Sequence, residues 1–136
     1  MANALYDTAR AAFLTGSHDW ENDTFAVVLV DGADYTVNLE THVALSDIAT
    51  AARVSGVVTL TNTSVQANGA ADADDVTFTA VSGDSIEALV LYKVGVDDAN
   101  SPLIAYIDTA TGLPITPNGG DIIVTWDNGT NRIFRL

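Results

Sequence analysis

Cysteine is absent from the 136 residues. That excludes a disulfide framework, a thiolate metal site and a cysteine nucleophile. Basic residues are nearly as scarce: five Lys and Arg stand against eighteen Asp and Glu, for a formal net charge of -13. A surface this poor in cations is not suited to neutralising phosphates, so nucleic acid is not an expected partner. Anionic membranes are disfavoured for the same reason. No apolar run approaches the ~18 residues of a membrane span. The opening stretch MANALYDTARAAFLTG lacks the basic front and long apolar centre of a signal peptide. The expectation is a protein made and used without crossing a membrane by the common route.

The motifs of familiar chemistry are missing as well. His18 and His42 have no second histidine or cysteine at ligand spacing and read as surface residues in polar stretches. No G-x-S-x-G elbow, G-x-G-x-x-G or phosphate-binding loop occurs. Asp19, Glu21 and Asp23 alternate as the first ligands of a calcium loop do. The pattern then fails, because Thr24 holds the position of the obligatory glycine and Val30 that of the bidentate glutamate. A solvated acidic loop is the simpler account, and it serves equally for Asp72, Asp74 and Asp75. Eighteen acids always supply carboxylate pairs, and nothing selects one pair for glycoside cleavage. The sequence therefore points to a non-enzyme with no cofactor and no resident metal.

What is present is apolar patterning. Hydrophobic residues make up 48% of the chain and charged ones 17%, the profile of a packed domain rather than a disordered tail. At this length the chain is expected to form one domain, with an N-terminal helix within 1–16 and a β core over 24–136. The helix is read over residues 3–14, with Asn3 as its cap and Gly16 as its stop. Residues 24–30 (TFAVVLV) and 86–93 (IEALVLYK) are apolar on both parities, as strands covered on both faces are. Residues 57–63, 76–81 and 103–108 read as further strands, the last pairing with 86–93. Residues 43–52 suggest a short helix or an irregular excursion. NGAADADD (68–75) reads as a flexible acidic loop, 97–102 as a loop, and 111–120 as a long ordered loop rich in Pro and Gly. Asn128-Gly129 between apolar runs predicts a closing hairpin, because a type I′ turn needs positive φ at both central positions. The fold class is thus mainly β: an antiparallel sandwich or barrel of about seven to eight strands with a short N-terminal helix.

Surface residues remain as the candidates for function. Trp126 alternates with Ile122 and Val124 and belongs to the core, whereas Trp20 lies among polar residues and is expected at a contact surface. Trp20 beside Asp19 and Glu21 is also the thin support for a carbohydrate-binding module or small glycosidase. Arg132 and Arg135 stand near the end of a chain with three other basic residues. They either blunt an edge strand or reach an acidic patch on a neighbour. Asp97 and Asp98 mark the loop 97–102, which, with the N-terminal helix and the loop 68–75, is a candidate contact surface.

Five stretches carry a resemblance: ADYTVNLETH (33–42), LSDI (45–48), DVTFTAVSGDSIEALVLYK (75–93), LIAYIDTATGLPITPNGGDI (103–122) and TWDNGTNRIF (125–134). Together with the N-terminal ALYDTARAAFLTGSHDWENDTFAVVLVD, they resemble a group of small structural proteins of tailed bacteriophages. The resemblance spans nearly the whole chain and brings no catalytic motif. It implies a virion protein of the capsid decoration, or cement, type. Such a protein is synthesised in the host cytoplasm and sits on the outer capsid surface, with the major capsid protein and its own copies, as a homotrimer, for partners. A tail, neck or fibre-attachment protein is the alternative that the same resemblance allows.

Overall fold

The computed structural model describes residues 3–136. Among these residues, ten strands, one α-helix and three short 3-10 turns make up the regular structure, and every strand pairing is antiparallel. The mainly β, sandwich-like class read from the sequence is the one observed. Three of the strands, β1 (Ala4–Leu5), β4 (Ser64–Val65) and β10 (Phe134–Arg135), have only two residues. Pieces that short leave almost no periodic signal, which is why a smaller number of strands was expected.

The main sheet has five strands in the order β1, β8 (Leu103–Ile107), β7 (Ala88–Lys93), β2 (Phe25–Val30) and β3 (Arg53–Thr59). Its centre consists of β2 (Phe25–Val30), β7 (Ala88–Lys93) and β8 (Leu103–Ile107). All residues of β2 and β8 are buried, and so are all of β7 except Lys93. The unbroken apolar runs follow from this, since a strand covered on both faces cannot alternate with polar residues. Each fully buried Val or Leu there contributes roughly 1.5–3 kcal/mol. The edge strand β3 (Arg53–Thr59) pairs with β2 through an irregularity: Val27 faces Val58, but Leu29 faces Val54. The extra backbone is taken up at Ser55, which has φ 68, beside Gly56.

Residues opposite one another in register share a face. One face carries Leu5, Ala105, Leu91 and Val27, and also Leu89, Ile107 and Leu29. Phe25, at the end of β2, stacks on Trp20, and Trp20 in turn meets Phe134 of β10. This face is therefore covered by the smaller strands. They form a three-stranded sheet in the order β10, β5 (Ala70–Asp72) and β4, and a two-stranded sheet of β6 (Val76–Phe78) with β9 (Ile122–Val124). The opposite face presents Tyr106, which meets Tyr35 from the excursion between β2 and β3 at 6.3 Å. That excursion contains two 3-10 turns, Leu45–Asp47 and Thr50–Ala52. It is irregular rather than helical.

Three sequence readings are corrected here. The helix α1 is Asp7–Thr15, and the residues before it form β1 against β8. Asn3 caps no helix: its Oδ1 accepts the amides of Asp108 and Thr109, each at 2.9 Å, and its Nδ2 donates to the Thr109 carbonyl. Gly16 does stop the helix, at φ 78. Residues 68–75 are not a flexible loop, because Ala70–Asp72 is strand β5, with Ala70 and Ala71 buried. Alanine is short enough to be covered completely, yet it carries little hydrophobic signal in a sequence window. Finally, Asn128-Gly129 closes no hairpin. β9 pairs with β6 and β10 with β5, so the two segments around the dipeptide belong to different sheets. The Gly129 amide is held instead by the Asp127 carboxylate at 3.1 Å. Tertiary pairing has overridden the local turn preference.

Candidate functional site

The residues singled out in the sequence lie in different environments. Trp20 is buried, with 4% of its surface exposed. Its ring sits 4.6 Å from Phe25 and 5.2 Å from Phe134, and its indole N–H donates to the Asp72 carbonyl at 3.0 Å. It is a core residue between the layers, not a contact surface or a glycan platform. Trp126 is buried as expected, donating its indole N–H to the Asp74 carbonyl. The polar neighbours of Trp20 concealed its burial: they occupy the solvent side of a tight turn. Asp19 accepts from the Glu21 and Asn22 amides and from the Asn22 side chain, while Asp23 accepts from the Asp19 amide. Asp23 also pairs with Lys93 at 2.9 Å. Of the alternating acids, Asp19 and Asp23 thus shape the turn, while the Glu21 carboxylate accepts the Val65 amide of β4 at 3.2 Å.

Arg132 turns inward. It pairs with Asp72 at 3.3 Å and adopts φ 48 in the turn before β10. Arg135 is exposed on β10, an edge of the three-stranded sheet, and its Nε donates to the Asn68 carbonyl at 3.1 Å. A cation on an exposed edge fits the protective role of such residues.

Asp97 and Asp98 lie in a turn whose geometry is heavily determined. Asp97 accepts the Asn100 amide at 2.9 Å and its side-chain amide at 2.7 Å, opening the 3-10 turn Asp98–Asn100. Ser101 is 3% exposed; its hydroxyl donates to the Asp97 carbonyl at 2.8 Å and accepts the Gly95 amide at 3.0 Å. A side chain at Gly95 would place its first carbon 1.9 Å from the Asn100 carbonyl oxygen, so the turn requires glycine there. Asp98 pairs at 2.7 Å with Arg53, whose other guanidinium nitrogens donate to the Leu45 and Ile48 carbonyls. The turn is therefore tethered to the excursion between β2 and β3. On this ordered backbone stands Val96, 91% exposed, with the exposed Val94 before it. Val43, also exposed, is joined to the same region through its carbonyl, which accepts the Leu103 amide. Sequence reading found the two acids of this turn but not the valines. The clue was Gly-Val between a strand end and an acidic pair.

Two further groupings were not read from the sequence. Asp31, Asp34 and Asp84 bring carboxylate oxygens within 4.8 Å of one another, with Asp31 buried. Oxygen is the ligand type of a hard cation, but three carboxylates are fewer than the roughly six to eight oxygens that calcium takes. On the covering side of the 31–52 excursion, the Tyr6 and Tyr35 hydroxyls meet at 2.9 Å, and Tyr35 meets His42 Nδ1 at 2.9 Å. Burial raises the Tyr6 phenol far above its ordinary value, so this chain of three polar groups stays protonated at the tyrosines. His42 is thus a partly buried member of a network rather than a free surface histidine.

A groove of about 300 Å³ opens between the end of α1 and the three-stranded sheet. Phe13, His18, Trp20, Val65, Phe134 and Leu136 line it. A larger cleft of about 500 Å³ separates β1 and β8 from the turn that carries Arg132.

Comparison with known proteins adds no relative: no protein-family model matches the chain, and neither does any curated protein sequence.

Proposed function

We propose that this protein is a non-enzymatic structural component of a tailed-phage virion that binds the outer surface of the capsid and stabilises it. The observation that carries the reading is the turn at residues 95–101. A glycine requirement, a buried serine, an aspartate cap and an ion pair all hold it, and it presents Val96 to solvent. An apolar side chain fixed outward on a rigid turn loses little entropy on docking, which is the condition for a good anchor. The resemblance of the chain to small phage structural proteins supplies the context.

The mechanism is mass action. A clamp that binds the intact lattice and not the loosened one shifts the balance toward the intact state. Individual contacts can be weak, because a closed homotrimer attaches through several at once. The charge of -13 keeps coated particles apart and repels free nucleic acid. The test is co-sedimentation with purified expanded capsids stripped of their own decoration protein, followed by heating. Binding with a gain in heat resistance, weakened at least tenfold by Val96→Asp, is the expected result. Failure to sediment at any salt concentration overturns the reading. Stoichiometry on intact particles separates an outer capsid protein from a tail, neck or fibre-attachment protein.

A further inference from the structure

His18 occupies an unusual place at the foot of the aromatic groove. Its ring meets Phe13 edge-on, with centroids 5.3 Å apart. Phe13 in turn meets Phe134 at 5.8 Å, and Phe134 meets Trp20. One side of the groove is thus a chain of rings running from helix α1 to strand β10, with the imidazole at its helical end. The Nδ1 atom of His18 is buried and has no hydrogen-bond partner. A neutral imidazole tolerates that position, since one of its nitrogens carries no proton and the uncharged ring packs edge-on against Phe13. An imidazolium does not, because both nitrogens then carry protons and the charge requires solvation.

The charged surroundings are mixed. Lys93 of β7 lies close by, its ammonium donating to the Ser17 carbonyl at 3.2 Å and pairing with Asp23. Asp19 lines the groove but is engaged by Asn22. On the β4 side the Glu21 carboxylate accepts the Val65 amide, on the β5 side Asp72 is paired with Arg132, and on β10 Arg135 is directed to the Asn68 carbonyl. Helix α1 presents Phe13 to the groove, and Gly16 lines it just past the helix end.

We propose that His18 is an acid-operated latch on this groove, holding the end of helix α1 against the Phe134–Trp20 rings while neutral and releasing it when protonated. Hydration of Nδ1 requires the ring to leave its place beside Phe13, and the first contact of the aromatic chain goes with it. The groove then widens and Trp20 and Phe134 meet water.

The electrostatics agree with the geometry. Burial lowers the His18 pKa below its ordinary value and Lys93 lowers it further; the Ser17 carbonyl and Asp23 oppose the shift without cancelling it. The folded value is therefore lower than the unfolded one. The stabilising contribution of the neutral ring is complete above about pH 6.5 and disappears as the pH falls through the folded value. Asp19 and Asp23 are themselves held below the usual carboxylate range, Asp19 first by the Asn22 side chain and Asp23 first by the Asp19 amide.

The experiment follows Trp20 emission in a Trp126→Phe background from pH 7.5 to 4.5, with binding of a dye for exposed apolar surface in parallel. A reversible red shift with a midpoint below 6.5 is expected, accompanied by dye binding. His18→Phe removes the transition, and His42→Asn retains it. An unchanged emission over the whole range, or the same transition in His18→Phe, overturns the proposal. If either background fails to fold, the imidazole resonances of the wild-type protein decide the matter. Titration of His18 below 6.5, together with shifts in the Phe13 and Phe134 ring signals, supports the latch. Titration at or above 6.5, or without those shifts, rules it out.

Discussion

Trp20→Ala distinguishes a core tryptophan from a surface one by stability alone. A tryptophan contributes about 150–250 Å² of buried surface, and at about 25 cal/mol per Å² that burial is worth roughly 4–6 kcal/mol. The structure adds two ring contacts, at 4.6 Å to Phe25 and 5.2 Å to Phe134, and one hydrogen bond to the Asp72 carbonyl. Partial collapse of the surrounding layers recovers some of the loss, so the expected cost is about 3–5 kcal/mol. Such a loss is a large share of the ~5–15 kcal/mol that holds a typical domain together. Trp20→Phe is the milder companion: it keeps a ring between Phe25 and Phe134 but strands the Asp72 carbonyl, for about 1–3 kcal/mol. Urea unfolding monitored by Trp126 emission and by circular dichroism measures both. A surface tryptophan on an acidic turn would change stability by no more than about 0.5 kcal/mol. If Trp20→Ala leaves the urea midpoint within that margin, Trp20 is not packed between two layers.

Two other perturbations examine the tethered turn and the excursion. Gly95→Ala forces a carbon onto the Asn100 carbonyl oxygen and is expected to cost about 1–3 kcal/mol, with faster amide exchange confined to residues 95–101. Uniform exchange across that turn in wild type and variant would contradict it. Asp47 accepts the Val43 and Ala44 amides, which hold its carboxyl below the usual range, the Val43 amide most strongly. Its folded value is depressed, so its contribution is present above about pH 4 and is lost as the pH falls through the folded value. Asp47→Asn should therefore lower stability at pH 7 and flatten the acid limb below pH 4, measured by thermal unfolding across that range. An acid limb identical to wild type would remove Asp47 from the account.

Different parts of this structure were legible to different degrees. β2 and β7 could be read directly, because six consecutive buried apolar residues in the one and five in the other have few alternatives to a central strand. Trp126 was legible through its alternation with Ile122 and Val124. Trp20 was not, since its burial depends on a turn whose polar residues all face outward while the indole alone points in. β5 was obscured by its composition, as two buried alanines beside aspartates resemble a solvated loop. The Asn-Gly dipeptide misled for a different reason: a turn preference is local, whereas the partners of β9 and β10 are chosen by layers assembled from distant segments. At the candidate surface, Asp97 and Asp98 stood out by charge. The exposed valines beside them did not, because hydrophobicity in a sequence window carries no sign of which way a side chain faces.

The pairing of β1 with β8 sets a timetable for biosynthesis. Ala4 lies opposite Tyr106, so the first strand has no partner until some hundred further residues have been made. At elongation rates of about 5–20 residues per second, that interval is roughly 5–20 s. During it, helix α1 has no sheet edge to anchor it, and the nascent chain displays the apolar rows of β2 and β7. The edge of the main sheet that β1 forms is thus completed only when β8 emerges.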